Sequence, residues 1–128
     1  MMKKPTPQEI YRAALKERDQ SDPLKKRQAC EKGWLAVTEA VDQFLTTKDK
    51  FVKKGSPDAH AKRNAHLADL AEIDPTLNQL PTFVSEIADQ LHGTCFYAGE
   101  DSPHFDKVLK QTVRRILELT GFWADGEE

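Results

Sequence analysis

The placement of proline is the feature that most limits how this chain can fold. Six of the seven prolines stand where a helical pattern begins. Because proline lacks an amide hydrogen and fits only the first helical turn, each one marks a helix boundary. The pattern predicts five helices, at about 7–20, 22–47, 56–73, 81–98 and 102–121. No segment alternates with period two, so the predicted fold is all-α: an up-down antiparallel bundle of four to five helices.

Capping residues support these boundaries. The segment "TPQE" combines an N-cap Thr6 with Glu9 in the third helical position, which is a capping box. Asp22, Ser56 and Ser102 each precede a proline in the same way, and Asp74 with Pro75 predicts a short turn.

Apolar residues at steps of three and four give most of these helices a core face. In the second helix a stripe of small residues includes Gly33, which predicts close approach of another helix. The predicted core includes Cys30, Trp34, Val37, Val41, Phe44, Leu67, Leu70, Ile73, Val84, Ile87, Leu91, Cys95, Phe105, Leu109, Val113 and Ile116.

At 128 residues the chain fits one domain, residues 1–128, with a core at about 8–121 and flexible ends. No run is apolar enough to span a bilayer and no signal-peptide pattern occurs, so we expect a cytoplasmic protein without membrane contact. In that setting Cys30 and Cys95 are predicted to be buried thiols rather than a disulfide. No metal site and no cofactor are predicted.

Charge is unevenly distributed. Residues 1–66 hold 15 Lys/Arg against 9 Asp/Glu, whereas residues 67–128 hold 4 against 12. The most basic stretch contains Lys48, Lys50, Lys53 and Lys54. It suits an anionic polymer, or it is an ordinary solvated loop between helices.

The segment "HAKRNAH" is the first candidate for chemistry. Arg63 stands three residues from both His60 and His66, so the three share one helix face, next to Asn64. A guanidinium between two imidazoles could bind phosphate and supply an acid and a base. The alternative is a polar helix start exposed to water.

His92 and Tyr97, near the end of the fourth helix, form the second candidate, a small polar pocket. The alternative there is a histidine with a purely structural role.

Three segments carry a resemblance to a known family: "QACEKGWLAVTEAVDQFL", "AHLADLAE" and "LHGTCFYAG". With them the chain resembles the HEPN superfamily of small helical bundles, in an uncharacterised prokaryotic branch such as the archaeal paREP-type proteins. The resemblance implies a homodimer. For active members it implies metal-independent RNase activity, often with a nucleotidyltransferase-like protein partner.

The family's arginine–histidine signature is not matched, because only two residues separate Arg63 from His66. We therefore predict a non-catalytic homodimeric bundle that binds RNA, a nucleotide or a protein through Arg63, Asn64, His60, His66, His92, Tyr97, Lys53 and Lys54. The alternatives are a divergent RNase that uses Arg63 with His60 or His66, and a scaffold bundle without a nucleic-acid role.

Overall fold

The computed structural model describes residues 4–100 and 102–123. These residues form an all-α bundle, and no strand occurs among them. The predicted flexibility of the chain ends concerns residues outside this described part.

Five helical rods follow one another along the chain. The first three are α1 (Pro7–Arg18), α2 (Pro23–Thr47) and α3 (Ala59–Ile73). A 3₁₀ turn (Pro75–Leu77) leads to α4 (Leu80–Ile87), which continues as a π-helical segment (Ala88–Tyr97). The last rod consists of α5 (Pro103–Lys107), a second π-helical segment (Val108–Val113) and α6 (Arg114–Thr120). The predicted helices are confirmed, with boundaries that differ by a few residues.

Most of the predicted capping residues perform that role. The Thr6–Glu9 capping box is complete, and the side chains of Asp22 and Ser102 accept backbone amides at the starts of α2 and α5. The predicted cap at Ser56 is wrong: its hydroxyl donates to the Lys53 carbonyl in a loop turn, and α3 begins three residues later.

The core surrounds α2, which contacts every other rod. Leu67, Leu80, Leu91, Leu109 and Ile116 are completely buried around it. One assignment to this core was wrong: Ile73 is 82% exposed, because it ends α3 beyond the bundle. Trp34, Phe44 and Leu70 are half-buried and pack against the core from its edge.

Gly33 lies where α2 approaches the fourth and fifth rods. A Cβ atom there would lie 2.6 Å from Leu109 Cδ1 and 3.0 Å from Leu91 Cδ1. The predicted close approach is therefore present, and neighbours within the same chain account for it.

Trp123 also finds partners inside the bundle. Its ring packs edge-on against Tyr11 at 5.8 Å, and the Arg114 guanidinium lies 4.7 Å from its centre. The Tyr11 hydroxyl donates to the Lys110 carbonyl, and burial raises the pKa of Tyr11 to about 12 although the nearby Arg114 opposes the shift.

A disulfide joins Cys30 of α2 to Cys95 of the first π-helical segment, so the prediction of two free thiols is wrong. Both residues were correctly placed in the interior. Their helical faces meet with a Cα–Cα separation of 6.1 Å, within the range a disulfide spans. Sequence spacing could not show this, because the two residues are 65 positions apart.

Candidate functional site

Arg63 belongs to the interior of the bundle. Its Nε donates to Asp42 Oδ1 at 2.6 Å, and its Nη2 donates to Asp42 Oδ2 at 3.0 Å. Both side chains are less than one-tenth exposed. This bidentate pair connects α3 to α2, and it occupies the guanidinium that the sequence had suggested for phosphate binding. Anion binding at Arg63 stays a prediction, with the charge of its guanidinium already matched by Asp42.

The other members of "HAKRNAH" separate from one another. Asn64 donates to the Ser85 hydroxyl at 2.8 Å and so connects α3 to α4. His66 is half-buried further along α3. His60 is exposed and lies beside Trp34, with ring centres 6.1 Å apart.

A cavity of about 390 Å³ collects four of the predicted binding residues: Lys54, His60, Arg63 and His92. The loop from Lys54 to Pro57 forms one wall, and Trp34 on α2 forms another. We call this the Trp34 cavity. Lys53 is exposed on the same loop but does not line the cavity.

Aromatic rings extend from the Trp34 cavity along the surface. The ring centres of Trp34 and His92 lie 5.4 Å apart, and the ring planes are tilted by 30° to each other. The ring centre of His92 lies 4.8 Å from that of Tyr97, with the rings edge to face, and 6.4 Å from that of Phe96. We call Trp34, His92, Phe96 and Tyr97 the aromatic strip. Tyr97 at its end is 67% exposed, an unusual position for so large a ring.

The π-helical segment explains how His92 contacts both residues of the Phe96–Tyr97 pair. In an α-helix a residue five positions later points roughly 140° away. Here the turns are wider, as the Ala98 amide bonding to the Gly93 carbonyl five residues back shows. The wider turn brings Tyr97 onto the face of His92. Such insertions are frequent at functional sites.

Two polar contacts fix the aromatic strip. His92 Nδ1 lies 2.6 Å from Glu31 Oε1, across the gap between α2 and the π-helical segment. The guanidinium of Arg27 donates to the carbonyls of Phe96 and Tyr97, and it lies 5.9 Å from the Phe96 ring. A carboxylate on Nδ1 leaves Nε2 of His92 as the ring nitrogen available for another partner.

Glu39 and Lys54 also line the Trp34 cavity, and Glu39 contacts two lysines, Lys54 and Lys4. Lys54 pairs with Glu39 Oε1, and Lys4 lies 3.0 Å from Oε2. Burial alone would raise the pKa of Glu39, but the hydrogen bonds from Lys54 and Lys4 outweigh it and lower the pKa. The same contact raises the pKa of Lys4.

Sequence reasoning missed the acidic residues of this site. Glu31 orients His92, Asp42 holds Arg63, and Glu39 holds Lys54. One signal was available, since Glu39 and Asp42 lie three residues apart inside an alanine- and valine-rich helix. Charged residues in such a stretch require partners. The residue type of those partners was foreseeable, but their positions were not.

No group of three or more His, Cys, Asp or Glu side chains able to hold a metal ion occurs in residues 4–100 and 102–123. Within the same residues, no helix combines the length and hydrophobicity that crossing a bilayer requires.

No protein-family profile, curated protein or solved structure matches this chain significantly. Membership of the HEPN superfamily thus stays a prediction.

Proposed function

We propose that this protein is a non-catalytic binding bundle, and that its partner is single-stranded RNA bound on the aromatic strip. The single observation that carries the proposal is the ordered series of rings from the Trp34 cavity to the exposed Tyr97. Base stacking on aromatic side chains is the main sequence-tolerant way in which proteins hold single strands.

The surroundings of the strip supply the cations that a phosphate backbone requires. Lys54 and His60 line the cavity at one end, and Arg27 lies beside Phe96 at the other. Lys48 and Lys53 are exposed on the loop that leads to the cavity. The arrangement therefore combines the stacking surfaces and positive charges typical of single-strand binding.

The absence of catalysis in this proposal rests on Arg63. A guanidinium that is buried and already matched in charge by Asp42 adds little net positive charge for a phosphorane-like transition state. The arginine–histidine chemistry expected of an active HEPN-type enzyme therefore lacks its cation at this position.

One observation favours a second candidate, metal-independent RNA cleavage. His60 and His92 contact the same ring of Trp34, and Lys54 lines the same cavity. One histidine could take the 2′-hydroxyl proton while the other protonates the departing 5′-oxygen, giving a 2′,3′-cyclic phosphate and a 5′-hydroxyl. The contact with Glu31 would orient His92 for either role.

Fluorescence anisotropy with a labelled single-stranded RNA, read across a salt series, tests the leading proposal. We expect binding that weakens steeply with salt and that Tyr97→Ala weakens about tenfold or more, the value of one stacked base. Ile73→Ala is the control, because Ile73 is also highly exposed but lies at the end of α3. The proposal fails if binding is absent at low salt, or if Tyr97→Ala binds like the unmodified protein.

Two double variants test how the exposed lysines contribute to RNA binding. Lys48→Gln with Lys53→Gln should weaken binding, whereas Lys107→Gln with Lys110→Gln, exposed on the last rod, should not. Both pairs remove two positive charges, so a difference between them reports position. Lys54 is left intact because it also holds Glu39.

Incubation with RNA in excess chelator separates the two candidates. The leading proposal predicts no cleavage. Cleavage lost in both His60→Ala and His92→Ala, but kept in His104→Ala, would establish the RNase instead. His104 is exposed near the start of α5 and serves as the control histidine.

The homodimer that the resemblance implies is retained as part of the proposal, although the close contacts of Gly33 and Trp123 lie inside the chain and do not support it. Light scattering at tens of micromolar tests it. A nucleotide as ligand and a nucleotidyltransferase-like partner also stay predictions.

The disulfide is evidence against the predicted cytoplasmic location, because such bonds are rare in the cytosol.

A further inference from the structure

A second cavity lies on the other side of the Lys54–Glu39 ion pair. Its volume is about 480 Å³, and it shares Glu39, Asp42 and Lys54 with the Trp34 cavity. The rest of its lining includes Lys4, Gln43, Thr46, Phe51, Val52 and Phe122. We call it the Phe51 cavity. Its size falls within the range of small-molecule sites.

The apolar part of this cavity is incompletely covered. Phe51 borders it and is 77% exposed, although the neighbouring Val52 is buried. Phe122, from the opposite end of the chain, is half-buried along the same cavity. Two phenylalanine rings that flank a cavity offer a surface for an apolar body, and an occupant would remove the ring of Phe51 from water.

The polar part is an arrangement of two ammonium groups around one buried carboxylate. Lys4 and Lys54 both contact Glu39, and their side chains are 65% and 54% exposed. An ammonium has three hydrogens to donate, so each lysine can still serve another acceptor. The charge of Asp42 is already matched by Arg63. The cavity therefore has one positive charge in excess.

We propose that the Phe51 cavity binds a monoanionic amphiphile: a carboxylate attached to an apolar body, such as a medium-chain fatty acid. The carboxylate bridges Lys4 and Lys54 opposite Glu39, and the apolar body lies against Phe51 and Phe122. A cationic amphiphile would be repelled by both lysines, and a neutral one would form no charge-assisted hydrogen bond with them. This inference does not require RNA binding, because it uses neither Tyr97 nor His92, although Lys54 lines both cavities.

Isothermal titration calorimetry with three ten-carbon ligands below their micellar concentrations tests this site. Decanoate, decanol and decylamine share one chain and differ in their head group. We expect decanoate to bind at least tenfold more tightly than the other two. Equal affinity for decanol, or tighter binding of decylamine, overturns the assignment of the head group and hence the proposal.

Variants locate the binding. Lys4→Gln and Phe51→Ser should each weaken decanoate binding at least fivefold, and Gln43→Trp should block it by filling the cavity. The controls are Lys107→Gln and Ile73→Ser, equally exposed positions elsewhere. Each variant is first checked for unchanged helicity. Binding that survives both Phe51→Ser and Gln43→Trp places the ligand elsewhere and overturns the proposal.

One further variant keeps this result distinct from the RNA proposal. Tyr97→Ala should leave decanoate affinity unchanged, because Tyr97 does not line the Phe51 cavity. Loss of decanoate binding in Tyr97→Ala would contradict the assigned location. Absence of RNA binding would leave the decanoate result standing.

Discussion

Two acid–base pairs, Arg63 with Asp42 and His92 with Glu31, connect different rods of the bundle in opposite surroundings. Each has a closest contact of 2.6 Å. The first pair is 6% and 9% exposed, whereas the second is 32% and 33% exposed. The residue types alone favoured Arg63 as the functional group. Burial reverses that assignment, since Arg63 is 6% exposed and its charge is already matched by Asp42.

The energetic consequences differ in the same direction. A buried pair is often no more stabilising than apolar residues in its place, but loss of one partner leaves an unpaired charge without water. A pair at the surface keeps its hydration and contributes about 0–1 kcal/mol. The buried pair is thus a structural requirement, and the exposed pair can be altered with the fold intact.

Arg63→Ala is expected to have the largest effect. It strands the Asp42 carboxylate, and the free energy of unfolding should fall by about 3–5 kcal/mol, measured by urea denaturation. Lys62→Ala removes a neighbouring exposed charge and should change stability by about 0.5 kcal/mol or less.

A nearly neutral Arg63→Ala would show that the guanidinium is hydrated, and the anion-binding interpretation of "HAKRNAH" would then return. Replacement of both partners, by Arg63→Met with Asp42→Leu, should recover most of the loss, because it removes the charge together with its partner.

The second prediction concerns the Cys30–Cys95 disulfide, which connects α2 to the π-helical segment near the exposed pair. Reduction should lower the unfolding free energy by about 2–4 kcal/mol. In the reduced protein, backbone amide hydrogen exchange should rise most in residues 88–97. It should rise little around Arg63, because the ion pair with Asp42 still connects α3 to α2. Equal protection in the oxidised and reduced protein would show that packing alone fixes the segment.

Local rules explain why the architecture could be predicted from sequence. Proline, capping residues and apolar periodicity act within one or two helical turns, so helix positions followed from neighbouring residues. The failures involve distant partners. Ile73 continued the periodic pattern of α3 past the end of its neighbours, and the disulfide depends on two helix faces 65 residues apart meeting in register.

The third prediction concerns Gly33→Leu, which tests the close packing of α2 against the fourth and fifth rods. A side chain there collides with Leu109 and Leu91, and overpacking should cost about 1–3 kcal/mol. Gly93→Ala is the matched control, because its Cβ would meet only the Ala88 carbonyl oxygen, at 3.5 Å. It should be neutral or slightly stabilising. A higher melting temperature for Gly33→Leu would contradict the close approach.

The site was predictable in composition but not in geometry. His60, His92 and Lys54 were named as candidates from the sequence, and the structure brings them to one cavity. The sequence could not distinguish these exposed or half-buried candidates from the buried Arg63, since the burial of Arg63 depends on which face α3 turns toward α2. The contact of His92 with Tyr97 depends on π-helical turns, which the α-helical period does not describe.

The smallest expected stability effect belongs to Glu31→Gln, and its functional effect distinguishes the two candidate functions. The pair with His92 is about one-third exposed, so unfolding free energy should change by less than about 1 kcal/mol. If the aromatic strip only binds RNA, removal of this negative charge should strengthen binding, because it lies beside the path of the phosphates. If the cavity cleaves RNA, the loss of the carboxylate that orients His92 should slow cleavage although binding improves. Glu118→Gln, at an exposed position on α6, controls for net charge. Weaker RNA binding in Glu31→Gln, with Glu118→Gln unchanged, would show that Glu31 positions the strip itself for its ligand.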